Sequence, residues 1–159
     1  MAFESSVRER EIFVFCLSLV QSEELAHKFK ADVCVEIRRP ERLLAGIRDA
    51  LKRRPRIKSK QLVYGPVTYY SSESPPAAIW AVPEQVVRRK TIGYPGQQEY
   101  RIAFAMNDAF RVNNVAIQLT STPGAQSPSL EGHPQEKLKI GGIQDICTIH
   151  RYPPVGISS

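Results

Sequence analysis

The sequence predicts an α+β fold, a mostly antiparallel sheet with two helices in the first third. Three observations predict it. Strand-length runs of branched and aromatic residues outnumber amphipathic helical stretches. Both strong helical stretches lie before residue 53. No internal repeat and no second domain is visible along the chain. At 159 residues and 42% hydrophobic content the chain suits one domain with a real core. That domain is expected over 11–151, with flexible termini at 1–10 and 152–159.

The elements follow in order. Glu11 to Ser18 is aromatic, branched and almost wholly apolar, which predicts a central strand buried on both faces. Ser22 suits a helix N-cap, with Glu23 and Glu24 in the first turn, where the helix dipole favours negative charge. Leu25, Ala26 and Phe29 give that helix an apolar side. Asp32 to Ile37 predicts a second strand with Val33, Val35 and Ile37 on one face. Pro40 suits the first helical position. Leu43, Leu44, Ile47, Ala50 and Leu51 then recur at helical spacing to about Lys52, and Pro55 ends the helix.

Lys60 to Tyr70 predicts a strand interrupted at Gly65-Pro66, because proline cannot donate to a ladder. Residues 71–76 form a loop. Pro83 to Lys90 can form one or two helical turns. Gln97 to Met106 alternates: Gln98, Tyr100, Ile102 and Phe104 face one side, Gln97, Glu99, Arg101 and Ala103 the other. Asn107-Asp108 is a turn. Phe110–Val112 and Val115–Thr120 are expected as short strands. Residues 121–136, rich in Ser, Pro and Gly, are an exposed loop. Ile143 to Ile149 is a last strand or helical turn.

Composition excludes some classes. No apolar run approaches the roughly 18 residues of a membrane-spanning helix. The N-terminus is too charged for a secretory signal. Cys16, Cys34 and Cys147 are odd in number, widely spaced and each inside an apolar run. They are expected as buried free thiols in a reducing compartment, which places the chain in the cytoplasm. His27, His133 and His150 show no metal-ligand spacing with each other or with the cysteines.

The net charge is +6, and residues 1–60 hold 14 Lys/Arg against 9 Asp/Glu. The excess centres on Lys52, Arg53, Arg54, Arg56, Lys58 and Lys60. Cations this dense stay solvated or meet an anion. They can hold phosphates of a nucleic acid or an acidic protein partner, or simply decorate a helix C-terminus that the dipole favours. Tyr69-Tyr70-Ser71-Ser72 sets two aromatics and two hydroxyls at a strand end, either a stacking platform or a Ser-marked turn. Gln97 and Glu99 share a strand face and can reach one cleft, where the carboxylate could hold a ribose hydroxyl and stabilise an oxocarbenium-like centre. The alternative is a same-face pair of Glu99 with Arg101.

Several blocks resemble an uncharacterised bacterial family catalogued only as a domain of unknown function. They are Ile12–Ser18, Ala31–Ile37, Leu62–Tyr64, Arg89-Lys90 leading to Gln97–Ile102, and Leu138–Cys147. Members of that family carry an extra N-terminal portion, so the resemblance implies a truncated or split member of defence or mobile-element type. An aromatic-Ser-Ser strand end followed by Gln-x-Glu is also similar to the ADP-ribosyltransferase superfamily. That similarity implies NAD as cofactor, Glu99 as the catalytic carboxylate that holds the ribose and stabilises the transition state, Gln97 positioning an acceptor and Ser71 ordering the site. Tyr70 and Trp80 would stack on nicotinamide. The arginine that opens the NAD site there would be Arg8 or Arg10, or lie in the missing portion. The expectation from another class is a non-enzymatic nucleic-acid- or partner-binding module that uses the basic 52–60 segment.

Overall fold

Two apolar stripes that fit each other organise the molecule, one on a helix and one on a strand. The computed structural model describes residues 2–6, 9–57, 62–71, 73, 82–93, 98–111, 114–118 and 135–153. Their element order is β1 (Ala2–Ser6), a single 3-10 turn (Glu9–Glu11), β2 (Ile12–Ser18), α1 (Glu23–Phe29), β3 (Val33–Ile37), α2 (Pro40–Lys52), β4 (Val63–Pro66), β5 (Thr68–Tyr70), α3 (Pro83–Val86), β6 (Arg89–Thr91), β7 (Glu99–Ala105), β8 (Asn114–Gln118) and β9 (Cys147–Arg151). The fold is α+β, as the sequence predicts, and four of its five ladders are antiparallel.

Helix α1 starts where Ser22 accepts a hydrogen bond from the Leu25 amide at 3.1 Å. It ends with Lys30 in the left-handed region, where the Lys30 and Ala31 amides reach back to the His27 and Ala26 carbonyls. Helix α2 begins with Pro40 at its first turn and buries Leu43, Ile47, Ala50 and Leu51. That stripe packs on Ile102 and Phe104 of β7, with Ile57 and Ile146 closing the cluster. Phe13 of β2 stacks on Phe104, ring centroids 5.2 Å apart.

The strands form four small sheets rather than one. The central one has the order β2-β7-β4; the others are β1-β8, β3-β9 and the parallel pair β5-β6. Strand β7 is covered on both faces. Its second face, Ala103 and Ala105, meets Ala109 and Phe110. The interruption expected at Gly65-Pro66 divides β4 from β5. Gly65 has φ +151°, and a Cβ there would come within 2.9 Å of Arg88 Nη1, so the position requires glycine.

Two expectations are corrected. Among the described residues strand β2 is an edge strand, not a central one, and Val14, Phe15 and Cys16 are exposed. An uninterrupted apolar run reads alike whether its flank meets a strand or an open groove. Phe110 lies in a turn rather than a strand. Asn107 and Asp108 both take positive φ, which short polar side chains tolerate, and the turn drives Phe110 inward to 2% exposure. Residues 2–6 form β1 and pair in register from Ala2 with Gln118 to Ser6 with Asn114. Most of the 121–136 segment lies outside the described residues.

Truncating Phe110 should open a cavity behind β7. Phe110→Ala is expected to lower unfolding free energy by about 3–5 kcal/mol, against about 1 kcal/mol for loss of the α1 cap in Ser22→Ala. Urea denaturation of both variants checks this; equal midpoints would show that the turn does not depend on its aromatic anchor.

Candidate functional site

Glu99 opens β7, and the alternation of that strand places Arg101 on the same face. The residue is only 8% exposed and is the buried charged residue among those described. Arg101 Nε donates to Glu99 Oε1 at 2.8 Å and Lys90 Nζ, from β6, donates to Oε2 at 3.0 Å. The Glu99 amide donates to the Tyr69 hydroxyl at 3.3 Å. Arg101 Nη1 also donates to the Val87 carbonyl at 2.8 Å. The Glu99 amide thereby links β7 to β5, and the Glu99 carboxylate and the Arg101 guanidinium link β7 to β6 and to the end of α3.

The electrostatics follow from this packing. Burial acts to raise the Glu99 pKa, but hydrogen bonds from Arg101, Cys16 and Lys90 outweigh it and bring the carboxyl down to about 2. Cys16, opposite Arg101 on β2, is exposed rather than buried as the sequence reading expected. Desolvation and the adjoining Glu99 carboxylate push its thiol up, which makes it a weak nucleophile near neutral pH. Cys34 and Cys147 are half-buried, and all three are free thiols.

Ser71 follows β5, and its hydroxyl accepts from the Glu73 amide at 3.2 Å, the geometry of a Ser-marked turn. Tyr70 is half-buried at the end of β5. Gln97, Trp80, Lys58 and Lys60 lie outside the described residues. The structure brings Tyr69 of the aromatic strand end to the start of β7. Lys90 and Tyr69 complete the Glu99 cluster; the Arg89-Lys90 block is the only sequence signal for the former.

The basic segment does structural work. Lys52 pairs with Asp49 at 2.9 Å. Arg53 Nη2 donates to the Lys139 carbonyl at 3.1 Å and Arg54 Nη2 to the Lys137 carbonyl at 2.7 Å. Arg54 also pairs with Glu136 at 3.1 Å. These bonds tie the segment 135–143, which has no regular secondary structure, across α2. It passes so close that a Cβ on Gly46 would lie 3.3 Å from the Ile140 carbonyl. Arg42 pairs with Asp145 at its far end, 2.6 Å apart.

That strap bounds a groove of about 710 Å³. Leu43 and Ile47 of α2 form its floor, Phe13, Phe15 and Leu17 of β2 one wall, Val35 and Ile37 of β3 the other. Glu136, Leu138 and Ile140 of the strap close one side. A smaller cleft of about 170 Å³ lies where the strap crosses α2, between Arg42 and Ile143. Glu99, Ser71 and Tyr70 line neither space. Among the described residues no group of three or more His, Cys, Asp or Glu is placed to hold a metal ion, and no helix is long and apolar enough to cross a membrane. His150 Nε2 lies 2.7 Å from Glu36 Oε2 across the β3-β9 ladder.

No protein-family model, no curated protein and no solved structure matches the chain. The family resemblances therefore rest on the quoted sequence blocks alone.

The Glu99 cluster predicts an acid limit. Its folded pKa of about 2 lies below the unfolded value near 4.5, so the carboxylate contributes stability above pH 4.5. That contribution, on the order of 3 kcal/mol, is lost as pH falls from about 4.5 towards 2. Glu99→Gln should remove this dependence and destabilise the fold at neutral pH, leaving Lys90 and Arg101 without their anion. Unfolding free energies across that window, wild type against variant, measure it; parallel pH profiles would show that the pair carries no folding linkage.

Proposed function

We propose that this chain is a non-enzymatic, cytoplasmic binding module for an acidic protein partner, attracted by its basic segment and by the strap that this segment holds. The observation that carries the reading is the pair of guanidinium–carbonyl bonds from Arg53 and Arg54 to Lys139 and Lys137. They bring exposed Lys137 and Lys139 to the end of α2 near Arg53 and Arg54, so cations distant in sequence meet there. A nucleic-acid groove of the kind the sequence also suggests would need those cations aimed at phosphates. Here Lys52 is matched by Asp49 and Arg54 by Glu136, which favours a protein partner. The sequence blocks that resemble the uncharacterised bacterial family support a bacterial setting, and three free thiols suit a reducing compartment.

The test is retention of fluorescent poly-L-glutamate at low salt, with single-stranded DNA alongside. Binding of the polyglutamate should weaken with added salt and fall at least about tenfold in the combined Arg56→Glu, Lys137→Glu, Lys139→Glu variant. No retention of polyglutamate at low salt overturns the reading; tighter binding of DNA replaces it with the nucleic-acid one.

A second reading, NAD-dependent ADP-ribosyl transfer through Glu99, draws support from one contact: the Tyr69 hydroxyl at the Glu99 amide, which sets the aromatic-Ser strand end beside the Gln-x-Glu strand. Lys90 and Arg101 engage both oxygens of the Glu99 carboxylate. NAD cleavage by the wild-type chain that disappears in Glu99→Gln, with a folded variant, would favour this reading; an inert wild type ends it.

A further inference from the structure

Among the described residues, strand β2 has a backbone ladder with β7 alone, and β3 has one with β9 alone. The groove lies between them, and residues from both faces of β2 line it: Val14 from one, Phe13 and Phe15 from the other. A space reached by both faces of a strand wraps around that strand's outer edge. Phe15 is 53% exposed and Val35 on the facing wall 47%. An apolar edge of this length is rarely left bare in a soluble protein. What fits is an extended chain, because only a strand supplies backbone donors and acceptors to the β2 edge and side chains at alternate positions to the apolar walls.

The charge around the groove specifies the occupant further. Lys137 and Lys139 project from the strap between its lining residues Glu136, Leu138 and Ile140, and are exposed. Arg38 and Arg39 are exposed directly after Ile37, where β3 ends. Glu136, on the strap, is paired with Arg54, and Glu36 is hydrogen-bonded to His150. An apolar segment with acidic flanks is therefore complementary to both wall and rim.

We propose that the groove between β2 and β3 takes an extended, alternately apolar segment of the acidic partner protein, added as a strand along the outer edge of β2 from Ile12 to Leu17. This rests on the partner-binding reading above and names the part of the partner that docks. The acidic flanks are steered by Lys137, Lys139, Arg38 and Arg39, and the apolar centre covers Phe15 and Val35.

The probe is a fluorescein-labelled peptide of about 12 residues, valine alternating with threonine at its centre and aspartate and glutamate at its ends. Fluorescence polarisation with the full chain should show binding, reduced at least about tenfold by Phe15→Asp and equally by placing prolines in the peptide centre. Val35→Asp, on the opposite wall, carries the same expectation and keeps the test decisive if Phe15→Asp does not fold. Undiminished binding of the proline-containing peptide, or full affinity in folded Phe15→Asp or Val35→Asp, overturns strand addition while leaving the basic-surface reading intact. Equal binding of a peptide with neutral serine ends overturns the acidic-partner reading instead. Absence of binding by the acidic-ended alternating peptide overturns the groove proposal, and polyglutamate retention then decides the other.

Discussion

The Glu99–Arg101 pair is the constraint on which the rest of the β-rich half depends. β5 and β6 are three residues each, too short to hold position by their own ladder. They are fixed because Arg101 reaches the Val87 carbonyl, Lys90 reaches Glu99, and the Glu99 amide reaches Tyr69. A buried charge survives at this depth because each oxygen has a cationic donor.

Much of the fold is legible in the residues, and the exceptions have physical reasons. The Ser22 cap, Pro40 at the start of α2 and the stripe from Leu43 to Leu51 are local signals, and the structure follows them. The alternation from Gln98 to Phe104 gives the correct face of β7 to α2. Its other face was harder, since Ala103 and Ala105 are small and their burial depends on Phe110 arriving from a turn. The edge position of β2 is a matter of tertiary order, invisible to a run of seven apolar-rich residues.

The candidate site divides the same way. Strand periodicity alone pairs Glu99 with Arg101, whereas Lys90 and Tyr69 enter only through the packing of β5 and β6. The cationic run is plain in the sequence, but its use is not. Arg53 and Arg54 meet carbonyls more than eighty residues away, and nothing local marks 135–140 as their target. A basic segment read as a surface for others is first a fastener for its own chain. It shapes the groove by holding Leu138 and Ile140 at its side.

The parallel pairing of β5 with β6 has a kinetic consequence. Thr68 meets Arg89 and Tyr70 meets Thr91 only after a crossover has been closed, and three residue pairs repay that closure poorly. Local helices and the β2–β7 meeting can form without it. The short pair should therefore zip late during folding and part early during unfolding, with its amides exchanging hydrogen ahead of those in β7.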